Sequence, residues 1–295
     1  MSTPWFLTDE VRREFDPSQV RELTPLVRRV TADNPGMMTG PGTNCYLVGH
    51  REIAVIDTGV DDPAHVQRLA EAGGGRIRWI LITHKHPDHW PGSRRLAELT
   101  GAPVLAHPKP LQSMGDGRFR ADRELADADV IRGEEFTLRC VHTPGHAADH
   151  ICFLLEEERL LFAGDHVMDG STVVIAPPDG DMKQYIESLR RLAAMDLATI
   201  APAHGRLLDE PRNVLETIVE HRLMRERMVL EAFGDGAPAT IPELVERIYT
   251  DVPRALHGMA AHSVYAHLLK LREDGKVKGE GFESRWARAS GAGPA

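Results

Sequence analysis

Before a long charged stretch at 211–233, apolar residues gather in short runs or alternate with polar ones, and turn residues separate the runs. Residues 26–30, 45–48, 52–56, 77–82, 104–106, 136–141, 151–155, 160–163 and 198–201 read as strands. The second and third of these form a hairpin. Helical spacing appears at 9–15, 63–72, 91–99 and 181–195, where Tyr185, Leu189, Leu192 and Met195 share one side. Gly73-Gly74-Gly75 stops the second helix, and Pro91 suits the first turn of the third. The stretch 34–44 is dense in Gly and Pro and reads as a loop. Residues 108–129 carry many charges with little periodicity and read as a mobile loop with some helix.

Downstream, 211–233 reads as one charged helix and 234–238 as a linker. Three short helices follow at 242–249, 253–260 and 262–274, then a strand pair within 275–282. This tail looks like a winged-helix module. The preceding strand-rich halves with flanking helices suit an α/β protein of two sheets packed face to face. The expected division is 1–236 and 237–295.

The densest chemistry follows the strand at 77–82, in Thr83-His84-Lys85-His86-Pro87-Asp88-His89. Alternate side chains of an extended segment point the same way, so His84 and His86 can meet one ion. Pro87 favours a turn that aims Asp88 and His89 at a second point. Imidazole and carboxylate are the donors a catalytic zinc prefers.

At these residues the chain resembles the ligand loop of the metallo-β-lactamase-fold hydrolases. That superfamily takes further ligands from three later loops. Thr143-Pro144-Gly145-His146, Ala163-Gly164-Asp165 and Pro202-Ala203-His204-Gly205 match them in order. The resemblance implies an αββα sandwich with a small C-terminal winged-helix-like domain. It assigns His84, His86 and His146 to one metal and Asp88, His89 and His204 to a second, with Asp165 bridging. It implies two Zn²⁺ ions, with Mn²⁺ or Fe as alternatives, and a hydroxide held between them. Asp88 would also act catalytically, accepting the proton of the bridging water. Asp57, which ends the hairpin, is expected to support a ligand imidazole rather than bind metal. His107 is not counted as a ligand. Trp90 would either wall the site or fill the core.

Within the superfamily, 34–49, 143–150, 165–170 and 256–277 resemble the β-lactamase-like protein 2 family. His166, directly after Asp165, departs from that family's small residue or Cys. It would either donate a proton in the pocket or simply pack. Members of the family resemble single-strand-specific endoribonucleases, and fungal relatives look like acyl-carrier-protein thioesterases.

Composition narrows this modestly. The net charge of −9 gives no general nucleic-acid footprint, although residues from 237 on carry +1 against −10 before them. Cys45, Cys140 and Cys152 have no paired spacing and are expected as buried free thiols. No apolar run reaches signal-peptide or transmembrane length, so a cytoplasmic protein is expected.

Two hydrolytic functions follow from the resemblance. The first is phosphodiester hydrolysis of single-stranded RNA, with Lys270, Arg272, Lys276 and Lys278 holding the backbone. The second is hydrolysis of a thioester or ester, of glyoxalase II or acyl-carrier-protein type, which the acidic main domain favours. β-Lactam hydrolysis, iron-dependent persulfide oxidation and non-enzymatic nucleic-acid binding are minor alternatives. A homo-oligomer is an open expectation, and a membrane partner is not expected.

Overall fold

Asn44–Val48 and Ile53–Ile56 are buried throughout, and after Asn44 they are almost entirely apolar, because both of their faces are covered. Tyr46, Val48, Ala54 and Ile56 enter the core between two sheets. Cys45, Leu47, Ile53 and Val55 point the other way and pack with Val66, Leu69 and Leu96 of two helices. The computed structural model describes residues 4–112, 119–170, 172–250 and 253–289. Its compact units are Met1–Thr143 with Asp149–Ser171 and Asp196–Pro211, and Pro144–Ala148 with Thr172–Met195 and Arg212–Ala295.

The first unit opens with α1 (Asp9–Glu14), β1 (Val20–Glu22) and β2 (Val27–Thr31). Then come β3 (Asn44–Val48), β4 (Ile53–Ile56), α2 (Pro63–Gly73), β5 (Ile77–Leu81), α3 (Ser93–Thr100), β6 (Val104–Ala106) and β7 (Arg123–Glu124). It continues with β8 (Val130–Arg132), β9 (Thr137–His142), β10 (Ile151–Leu155), β11 (Leu160–Gly164) and β12 (Thr199–Pro202). One sheet runs β1 to β7 in sequence order, and the other runs β12-β11-β10-β9-β8. Leu81 and Leu105 from the first sheet, with Leu125 just past its last strand, meet Leu138, Phe153 and Phe162 from the second. β4, β5 and β6 are parallel, joined through α2 and α3, so the chain leaves them at one common edge. β11 and β12 are also parallel and share an edge. Asn44 N–H donates to the Ala203 carbonyl at 2.7 Å, and Ile151 N–H to the Thr83 carbonyl at 2.8 Å, tying the two edges together.

Local chemistry explains the helix ends. Asp62 caps α2 through the His65 N–H, Pro63 occupies the first turn, and Gly74 closes the helix in the left-handed region. Pro91 does not open α3; Gly92 is the N-cap and the helix starts at Ser93. β7 and β8 escape the apolar-run signal because both are short and largely exposed or half-buried. Residues 113–118, inside the loop read as mobile, lie outside the described residues.

The second unit contains α4 (Met182–Ala193), α5 (Pro211–Glu231), α6 (Ile241–Ile248), α7 (His257–Glu273), β13 (Val277–Lys278) and β14 (Ala287–Arg288). Asp181 caps α4, and a Thr240–Glu243 capping box starts α6. The two expected helices at 253–260 and 262–274 are instead one, α7, preceded by a single tight turn at Arg254–Leu256. The expected strand pair within 275–282 is also corrected: Val277 pairs with Arg288, around a loop that buries Trp286. Trp286, Leu244, Val245, Val264 and Leu268 fill this unit's core. Cys45, Cys140 and Cys152 are buried and form no disulfide among the described residues. Among the described residues, no helix is long and apolar enough to cross a membrane.

Candidate metal centre

The parallel strand ends bring distant loops to one place. Asp57 follows β4, His84 to His89 follow β5, Asp165 follows β11 and His204 follows β12. His84, His86 and Asp165 each offer an atom within 4.8 Å of the others, and Asp88, His89 and His204 do the same. His84 Nε2 lies 2.9 Å from His86 Nδ1. Gly164 permits the close approach beneath Asp165, since a Cβ there would lie 2.6 Å from His150 Nε2 and its φ is +50°.

The imidazoles are oriented from behind. His89 Nδ1–H donates to Asp57 Oδ2 at 2.8 Å, and His204 Nδ1–H donates to the Gly42 carbonyl at 3.2 Å. The Thr83 hydroxyl donates to Asp57 Oδ2 at 2.8 Å, so at 3.0 Å from His84 Nδ1 its oxygen is the acceptor. Each of these rings therefore turns an Nε2 lone pair forward. Asp57 also accepts the Thr83 N–H at 2.8 Å, which locks the start of the ligand loop. The His204 loop is held by the Tyr46 hydroxyl and Asn44 Nδ2 on the Pro202 carbonyl, at 2.6 and 3.1 Å.

The forward atoms test whether a metal fits. His89 Nε2 is 3.3 Å from Asp88 Oδ2 and 3.5 Å from Asp165 Oδ1. His204 Nε2 is 3.3 Å from Asp88 Oδ2 and 3.2 Å from Asp165 Oδ1. The Nε2 atoms of His89 and His204 are buried and make no hydrogen bond of good geometry. Donors held ~2.0–2.1 Å from a tetrahedral zinc lie ~3.3–3.4 Å apart, so these spacings fit a shared cation. Without one, the charges answer each other directly. Burial pushes His204 down, but Asp165 outweighs it and raises the group to about 9. Burial pushes Asp88 up, but His89 and His204 hold its carboxyl well below the usual carboxylate range. The Thr43 hydroxyl donates to Asp88 Oδ2 at 3.3 Å.

His146 belongs to the second unit, on the Pro144–Ala148 loop. Its Nδ1–H donates to the Val174 carbonyl at 2.8 Å, which turns its Nε2 lone pair outward in the same way. The loop is braced by α4: Ser188 Oγ donates to the Pro144 carbonyl at 2.8 Å, and Asp181 N–H to the Gly145 carbonyl at 2.8 Å. His166 is fully buried with its ring 5.6 Å from that of His150, a packed position. Trp90 is half-buried against the outer core and Phe119. His107 stacks on His142 with ring centroids 4.2 Å apart. The reading of the chain missed Gly42, Thr43 and Val174. Two of these act through backbone carbonyls, which carry no residue-type signature, and only the Gly-rich loop hinted at Gly42.

Residues 38–204 match the metallo-beta-lactamase superfamily model, and residues 240–286 match the beta-lactamase associated winged helix domain. The lactamase-like protein adaB of Aspergillus niger is 34% identical, covering 91% of this chain and 87% of that protein. The atrochrysone carboxyl ACP thioesterase of Aspergillus chevalieri is 34% identical over 90% and 88%. The beta-lactamase-like protein 2 homolog of Caenorhabditis elegans is 29% identical over 93% and 94%. A crystal structure of a metallo-beta-lactamase family protein from Thermus thermophilus superposes with a TM-score of 0.75 at 25% identity, covering 90% of this chain and all of that one. With relatives at 34% identity over nearly the whole chain and a family model that covers residues 38–204, the chain belongs to the metallo-β-lactamase superfamily, as a metal-dependent hydrolase of α/β fold with a C-terminal winged-helix domain.

Proposed function

We propose that the chain hydrolyses thioesters of the carrier-protein or coenzyme A type, using two zinc ions. His84, His86, His146 and Asp165 would hold one ion, and Asp88, His89, His204 and Asp165 the other. The observation that carries this reading is the pairing of a His/carboxylate donor set with full-length similarity to a relative named as an ACP thioesterase. When bound, the ion pair supplies a Lewis acid for the carbonyl oxygen and lowers the pKa of water. The side chains do the rest. Asp88, steadied by Thr43, accepts the hydrogen bond of the attacking water and takes its proton. His84, His89 and His204 keep their Nδ1 protons engaged behind the site, so their Nε2 atoms remain donors to metal. A thiol with a pKa of about 8.5 leaves as thiolate, so the reaction needs no strong general acid.

RNA cleavage is the second reading, favoured by the winged-helix match. The tail cations weigh against it. Lys270 pairs with Glu226 at 2.7 Å and Asp274 at 2.8 Å, Lys276 lies 3.6 Å from Glu226, and Arg272 donates to the Gly279 carbonyl. Those charges are engaged within their own unit, while Lys278 is exposed.

The deciding experiment assays the metal-loaded protein on acyl-coenzyme A and acyl-pantetheine substrates and, in parallel, on end-labelled single-stranded RNA. Chelator-sensitive thioester hydrolysis with intact RNA is expected. Chelator-sensitive RNA cleavage with stable thioesters would replace the proposal with the second reading. Metal analysis of the same preparation distinguishes zinc from manganese and iron.

A further inference from the structure

Lys85 stands between two ligand imidazoles, yet it is buried. Its ammonium lies 3.6 Å from Asp149 Oδ2, with the two side chains 8% and 1% exposed. The same Oδ2 accepts the Lys85 backbone N–H at 3.1 Å. The ammonium also donates to the Lys109 carbonyl at 2.6 Å and sits 5.6 Å from the Phe119 ring. Past the end of β5, Asp149 thus takes the place of a ladder partner for this N–H. Burying both charges carries a desolvation penalty that an outward-pointing lysine would avoid. In return, the backbone between His84 and His86 is fastened to the start of β10 and to the segment after β6. Two imidazoles that must share one ion tolerate little error in that backbone.

We propose that Lys85 and Asp149 are positioning residues that hold His84 and His86 at the spacing a shared cation requires. This rests on the metal-centre reading above. Neither side chain is placed among the ligands, so their effect is exerted through the loop.

Cobalt(II) is the probe, because its visible bands report ligand geometry and a chelator competes for it. The full-length parent, Asp149→Asn, Asp149→Leu and the double variant Lys85→Met with Asp149→Leu are stripped of metal and titrated. Asn keeps an acceptor for the Lys85 N–H, so its affinity should stay close to the parent's. Leu removes that acceptor, and affinity should fall by about 10–100-fold with shifted bands. The double variant also removes both buried charges, so it folds without an unpaired ammonium. It should show the same loss while its thermal unfolding remains cooperative. Parent-like affinity and bands in the folded double variant would overturn the positioning role while leaving the metal centre intact. If the double variant does not fold, the single variants decide: a loss of about 10–100-fold in Asp149→Leu that Asp149→Asn does not share upholds the role given to the N–H bond, and equal affinity in the two overturns it. A parent that binds no cobalt removes the metal centre and this inference together.

Discussion

Asp57 Oδ2 accepts the Nδ1–H of His89 at 2.8 Å across 32 positions of sequence, and Asp57 adopts a left-handed backbone, φ 56°, at the turn from which it does so. A non-glycine residue at positive φ is strained, so the carboxylate is worth more there than the backbone comfort of glycine. Asp57→Ala should weaken metal affinity by about 10–100-fold in chelator competition. Asp57→Gly should bind metal equally poorly yet unfold at higher denaturant than Asp57→Ala, by about 0.5–1 kcal/mol. Parent-like affinity in both variants would remove Asp57 from the support of His89.

Asp165 Oδ1 lies near His204 and His89 while the same residue groups with His84 and His86. If the centre holds two ions as proposed, Asp165→Ala should lower metal content to about one ion per chain or fewer and remove most of the hydrolysis. Elemental analysis and single-turnover assays check both. Full activity with one ion in this variant would refute the dinuclear centre.

Gly145 precedes His146 at φ +143°, and a Cβ there would lie 2.3 Å from Tyr185 Cα. Backbone, not a flexible side-chain end, stands in the way. Gly145→Ala should cost about 2–4 kcal/mol of stability in urea titration and weaken metal binding through His146. An unchanged urea midpoint would show that the loop can yield.

His267 is fully buried, and neither ring nitrogen has a hydrogen-bond partner among the described residues. Burial first, then Arg222 and Lys270, pull its pKa down from 6.5 to about 3. Above pH 6.5 the ring is neutral both folded and unfolded, so it adds no pH dependence. As pH falls below 6.5 the unfolded chain takes up a proton that the folded chain refuses. Stability then drops by about 1.4 kcal/mol per pH unit, until the folded value is reached. His267→Leu should flatten this loss between pH 6.5 and 4, measured as urea midpoints at each pH. An identical slope in the variant would exclude His267 as the source.

Lys270 and Glu226 are 13% and 8% exposed and 2.7 Å apart. Removing Lys270 leaves the mostly buried Glu226 with only the more distant Lys276 at 3.6 Å, so Lys270→Ala should cost about 2 kcal/mol in thermal or urea unfolding. Lys278→Ala, at an exposed position, should change stability by less than about 0.5 kcal/mol. If both variants unfold alike, the tail cations are not structural, and their nucleic-acid role regains ground.

Residues close in the chain made much of this protein legible beforehand. The run from His84 to His89 announces metal chemistry because its donors need only a strand end and a proline turn to converge. The hairpin at 45–56 and the helix stopped at Gly74 follow from short apolar runs, helical spacing and glycine alone. Other features were settled by packing between segments far apart. The Gly42 carbonyl meets His204 over 162 positions, and no residue type marks a carbonyl as an acceptor. Trp286 closes the small β13–β14 pair from outside the expected stretch, because burying its ring outweighs the short local turn. Lys270 and Lys276 read as a basic face until Glu226, on another helix, is seen to face them. Charge patterning along a chain counts cations, whereas the partner that neutralises each one is chosen by how the helices pack.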